Sequence, residues 1–127
     1  MATLTVRTIS FGTYTPGATP KYGGLNVATL DSPAALGDQF ACGNRTFLFA
    51  KNANASARTV TVDAKKASDQ GITTDVVVDI PATTGAVMWG PFEAAQFGGS
   101  TGLADITYDA VTDLTIVALK LAETARG

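Results

Sequence analysis

Carboxylates are the only side chains here that offer themselves for acid–base chemistry. Histidine is absent, which removes Ser-His-Asp triads, imidazole proton transfer and nearly every zinc site. The single cysteine, Cys42, can form neither an internal disulfide nor a thiolate cluster. It sits between Ala41 and Gly43, with no basic cluster to lower its pKa, and reads as inert. Asp75 and Asp79 fall on one face of a predicted strand, about 13 Å apart. Paired glycosidase carboxyls need roughly 5–9.5 Å. Asp105 and Asp109 share that problem. Asp105, Asp109 and Asp113 surround a predicted loop that could offer oxygen ligands to calcium, but they match no EF-hand spacing. The expectation is therefore a protein that is not an enzyme, with no catalytic, cofactor-binding or metal-binding residue and no cofactor.

Other motifs also read as structural. Gly98-Gly99-Ser100-Thr101-Gly102 resembles a phosphate loop only in its glycines, since no Lys follows and a strand rather than a helix comes next. Lys65-Lys66 is too short for a nucleic-acid or membrane patch. The triplets Asn44-Arg45-Thr46 and Asn54-Ala55-Ser56 fit a glycosylation pattern by chance in an Asn- and Thr-rich chain. Trp89-Gly90-Pro91-Phe92 is the most distinctive local feature. Pro91 must end its strand and Gly90 permits a bend, so Trp89, Phe92 and Phe97 are expected to cap one end of the core. A ligand-stacking platform is the alternative.

These residues must be positioned by strands, because the periodicity is two almost throughout. Leu4 to Ile9 reads as a first strand and Leu25 to Leu30 as a second. Thr46 to Ala50 is apolar on both faces, as in a central strand. Arg58 to Lys65 points Val60, Val62 and Ala64 inward and Thr59, Thr61, Asp63 and Lys65 outward. Asp75 to Ile80 points Val76, Val78 and Ile80 to one side. Ala86 to Trp89 follows a hairpin-length loop, Pro81 to Gly85. Leu103 to Asp109 alternates, and Leu114 to Leu121 is apolar on both faces and central. One helical turn is expected at Glu93 to Phe97. About eight short strands at this spacing predict a single all-β domain over residues 1–127, an antiparallel β-sandwich or jelly-roll-like barrel.

Two stretches break the pattern. Asp31 to Arg45 is irregular. Ser10 to Gly24 combines Pro16, Pro20 and several glycines with Phe11, Tyr14 and Tyr22. Long structureless loops inside a compact domain are uncommon and often functional, and rings spaced along an extended segment can be buried on a neighbour at low entropy cost. Residues 10–24 are read as an arm or long loop. Phe11, Tyr14, Pro16, Pro20 and Tyr22 are its candidate partner contacts, and a loop folded back on its own sandwich is the alternative. Deleting Met1 to Gly24 is expected to leave the sandwich folded. The charged fraction of 16% is low and the net charge is −2, so no nucleic-acid partner is expected. The opening residues lack a basic stretch followed by an apolar run, and no window approaches the ~20 apolar residues of a membrane span. A soluble chain without a membrane partner follows.

Gly37-Asp38-Gln39-Phe40, then Gly43 through Asn52 (GNRTFLFAKN), resemble a small β-protein of the structural modules of tailed bacteriophages. Arg58-Thr59-Val60-Thr61-Val62, Gly90-Pro91-Phe92, Ile106-Thr107-Tyr108 and Leu114 through Leu121 continue the likeness. It covers Gly37 to Leu121. The resemblance implies a head decoration (capsid cement) protein, made in the host cytoplasm and seated on the outer capsid surface of the virion. Its partner would be the major capsid protein, and it would be a homo-oligomer, with a trimer favoured by threefold lattice sites. A neck or tail component is the nearest alternative. A carbohydrate-binding or adhesin module using Trp89 and Phe92 is the alternative of a different class.

Overall fold

Val60 and Val62, two residues apart, are both fully buried, while Thr59 and Thr61, which alternate with them, are half-exposed. Alternation of this kind forces a strand to lie between a core and water. The computed structural model describes residues 2–9, 17, 30–65 and 75–121. Among these residues nine strands form: β1 Ala2–Thr3, β2 Val6–Ile9, β3 Asp38–Ala41, β4 Thr46–Asn52, β5 Arg58–Val62, β6 Val76–Ile80, β7 Gly85–Trp89, β8 Leu103–Tyr108 and β9 Leu114–Leu121. They make a five-stranded sheet, β1-β3-β8-β5-β6, and a four-stranded sheet, β2-β9-β4-β7. The sheets pack face to face as an all-β sandwich. Phe40, Leu48, Val60, Ile80, Ile106 and Ile116 meet between them with no exposed surface.

The two strands apolar on both faces take central places: β9 lies between β2 and β4, and β4 between β9 and β7. Other expectations are corrected. The sheets are mixed, because β1 runs parallel to β3 and β2 parallel to β9 at one flank. The expected strand from Leu4 to Ile9 begins only at Val6, and a separate strand, β1, precedes it. The chain crosses between the sheets at Leu4-Thr5, and Leu4, at 7% exposure, plugs the seam. Deleting Met1 to Gly24 would remove both flank strands and that plug, so it is not a neutral truncation. Between β6 and β7 there is no hairpin. β6 pairs with β5 and β7 with β4, so Pro81 to Thr84 turns a corner from one sheet to the other. The corner needs Gly85: a Cβ there would collide with the backbone of Pro81, 2.7 Å from its nitrogen.

β3 falls inside the stretch expected to be irregular. Its four residues begin with a buried Asp, a pattern that does not advertise a strand, yet Phe40 pairs with Ala104 and is wholly buried. The expected helical turn forms at Ala94–Gly98, closed by bonds from the Gln96 and Phe97 amides to the Glu93 carbonyl. The expected strand at Leu25 to Leu30 lies outside the described residues except for Leu30. So do Phe11, Tyr14, Pro16, Pro20 and Tyr22, and the whole 10–24 stretch apart from Gly17.

Candidate functional site

The acidic residues serve the fold one by one. Asp75 accepts the Ala64 amide at 2.9 Å, and Asp79 accepts the Thr59 hydroxyl at 2.9 Å. Asp109 accepts the Thr59 and Ala110 amides, and Asp113 accepts the Asn54 side-chain amide. Asp105 takes Gln39 at 3.0 Å and Lys65 at 3.4 Å. Asp105, Asp109 and Asp113 therefore do not converge, and among the described residues no three acidic or sulfur side chains gather around a metal-sized space. Cys42 donates to the Gly102 carbonyl at 3.3 Å, and partial burial pushes its thiol up. A thiol so raised is a poor nucleophile at neutral pH.

At the aromatic end, Phe92 stacks edge-on against Phe40 at 5.3 Å and against Phe97 at 5.2 Å. Phe92 is 1% exposed, so it cannot serve a sugar-stacking platform. Trp89 is half-buried on β7, packed on the core, and the ring completing the cap is Phe40 instead. Sequence reasoning missed Phe40 because its strand was not anticipated.

It also missed a buried polar pair. Asp38 has no exposed surface; one of its oxygens accepts the Tyr108 hydroxyl at 2.7 Å and the Ala34 amide at 3.1 Å. Burial, and then the Asp38 carboxylate, push the Tyr108 phenol up. Together these bonds tie the 34–37 turn to β8.

The flank where the chain begins is built differently. β2 joins the edge of β9 at Val6 opposite Ala118 and runs beside it to Ile9 opposite Leu121, leaving the edge before Ala118 open. Asp31 takes over the vacated edge, exchanging both backbone bonds with Ile116 at 2.9 Å. Arg7 on β2 and Asp31 close that junction with an ion pair of 2.7 Å. Ile9 and Asp31, the described residues on either side of 10–29, therefore lie on the same flank, with the Arg7–Asp31 pair between them.

The outer surfaces complete the picture. Register puts Phe47, Phe49, Lys51, Met88, Val117 and Leu119 on the outer side of the four-stranded sheet. Val117 and Leu119 are buried although they point away from the sandwich core, and Met88 is 57% exposed. Across the molecule, the outer side of the five-stranded sheet carries Thr59, Thr61, Thr107 and Asp105, with Asp63, Asp75 and Asp79 at its margin. Apolar residues at Phe47, Phe49, Val117 and Leu119 were the available signal for the first surface, hidden because they were credited to central position alone.

No protein-family model, curated protein or solved structure matches this chain. Function is therefore argued from the surfaces just described.

Proposed function

We propose that this chain is a structural virion protein, a decoration protein that binds the outside of a tailed-phage head. There it bridges neighbouring major-capsid subunits as a homo-oligomer, a trimer at threefold sites, without touching nucleic acid or membrane. The carrying observation is the stapled flank. Ile9 and Asp31, on either side of residues 10–29, are held on one flank by β2–β9 pairing, by Arg7–Asp31 and by the Asp31–Ile116 backbone pair. A rooted segment presents its residues at a defined place on the body, which lowers the ordering cost of reaching across a seam. Phe11, Tyr14, Pro16, Pro20 and Tyr22 are its proposed contacts with the capsid. The segments that resemble decoration proteins coincide with β3 to β9, the strands forming most of the rigid body. Weak contacts repeated on an icosahedral lattice reinforce one another through effective concentration.

The test keeps β1 and β2 and replaces residues 10–29 with a Gly/Ser linker. Ile9 and Asp31 sit opposite Leu121 and Ile116, about 17 Å apart along β9, a gap that about eight linker residues span. The linker variant should melt like the parent yet fail to sediment with expanded capsids. Full occupancy by the variant rejects the reading. Mass spectrometry of purified virions separates head from neck or tail, because a decoration protein should approach the major capsid protein in copy number.

A further inference from the structure

An open sheet edge offers unpaired backbone groups to another strand, and proteins blunt such edges with short strands, charge, proline or bulges. Among the described residues the edge strands are β1, β6, β2 and β7. β1 is two residues long, β2 carries Arg7, and β6 carries Asp79 with Asp75 just before it. β7 has no such device: Gly85-Ala86-Val87-Met88-Trp89 holds neither charge nor proline, and its register with β4 runs without a bulge. Ala86 and Met88 are exposed, Met88 at 57%, so their side of the strand is open. The ladder fixes which backbone groups lie there. Bonds from the Leu121 amide to the Arg45 carbonyl and from the Ala53 amide to the Asp113 carbonyl turn the odd-numbered residues of β4 toward β9. Leu48, Ala50 and Asn52 therefore turn toward Trp89, Val87 and Gly85 of β7. The amides and carbonyls of Ala86 and Met88 point the other way, out of the sheet.

We infer that β7 pairs antiparallel with β7 of a second copy about a two-fold axis at Val87, joining two four-stranded sheets into one. This is the register that overlaps all five residues. It sets the outward amide and carbonyl of Ala86 against those of Met88 in the other copy, and does so twice, so every backbone group at the open edge finds its partner. Side chains agree with it. Met88 lies across from Ala86 and Trp89 across from Gly85, large against small at both levels, and no like charges meet. The edge thus complements itself, and that self-complementarity makes a copy of this chain its occupant. Such a contact is isologous and closes on two copies. It goes beyond the threefold contact of the proposed function and is separate from it, linking copies of neighbouring trimers. One strand on one strand is a small contact, so free chains pair weakly and copies held side by side on a lattice pair more tightly.

Amide exchange on the purified full chain, read residue by residue by NMR, tests the pairing. As concentration rises, exchange at Ala86 and Met88 should slow severalfold. Val77 and Asp79, the outward residues of β6 by the same ladder reasoning, should not change. Met88→Lys, which should melt like the parent because the position is exposed, should leave the Ala86 amide fast at every concentration. Oxidation reads the register. An equimolar mixture of Ala86→Cys and Met88→Cys should give a disulfide-linked dimer, since the Cα atoms of a bonded pair lie about 5.5 Å apart. The parent, with Cys42 alone, and either variant by itself should not. Fast exchange at Ala86 and Met88 throughout, protection that survives Met88→Lys, or cross-linking no better in the mixture than in the single variants overturns the inference. No capsid enters these measurements, so that failure leaves the capsid reading to its own test.

Discussion

Individual side chains in this molecule are spent on holding strands and loops, and the titrating ones do so with a definite pH signature. Asp63 is the clearest case. Its carboxyl is raised by partial burial and then by the negative charges of Asp75 and Asp105, so the folded chain holds its proton more tightly than the unfolded chain does. The stability this contributes is present below the unfolded carboxyl value of 3.8 and is lost as pH rises through the raised folded value. Asp63→Asn should therefore melt higher than the parent at neutral pH, and the difference should vanish in acid. Thermal melts at both extremes check this. The sequence reads the residue as an outward position on a strand; it is outward, but one residue past the end of β5. Its crowding was not visible, because Asp75 and Asp105 are brought beside it only by β6 and β8.

At the scale of elements, the corners between the sheets depend on polar side chains more than the strands do. Asn52, the last residue of β4, is 2% exposed. Its amide nitrogen is shared among the carbonyls of Ser56 at 2.9 Å, Ile80 at 3.2 Å and Pro81 at 3.2 Å, while its oxygen accepts the Asn54 amide at 3.0 Å. One side chain thus fastens the β4–β5 loop to the corner that carries the chain from β6 to β7. Asn52→Ala leaves buried carbonyls without a donor, at a cost of about 2–3 kcal/mol. Chemical denaturation should show that loss, and hydrogen exchange should rise first in the 53–57 and 81–84 loops. Strand existence was legible from alternation at β5, β6 and β8, because period two is a local consequence of burying one face. Strand pairing was not: a five-residue loop with glycine at its end serves a hairpin or a corner equally well, and Pro81 to Gly85 made the corner.

For the whole molecule, the two strands at the start of the chain, β1 and β2, matter to the body. β1 completes one sheet edge, β2 completes the other, and Leu4 fills the gap between them. Removing residues 1–9 exposes the edges of β3 and β9 and empties the Leu4 position, where loss of a buried leucine side chain alone costs about 2–5 kcal/mol. The truncated chain should lose cooperativity or melt well below the linker variant described above. Comparing the two melts separates the contribution of the flank strands from that of residues 10–29.

By itself the sequence determined the secondary-structure class, the central places of β4 and β9, the inward faces of β5, β6 and β8, and the want of histidine-based or disulfide chemistry. Those properties follow from composition and from side-chain alternation over a few neighbouring residues, which local physics fixes. Tertiary structure alone decided that β1 and β2 run parallel to their neighbours, that β3 exists, that Phe40 rather than Trp89 completes the aromatic cap, and that Arg7 meets Asp31. Each of these depends on residues tens of positions apart meeting across two sheets. Burial across a sheet interface is set by packing geometry, and no single strand's pattern encodes its partner.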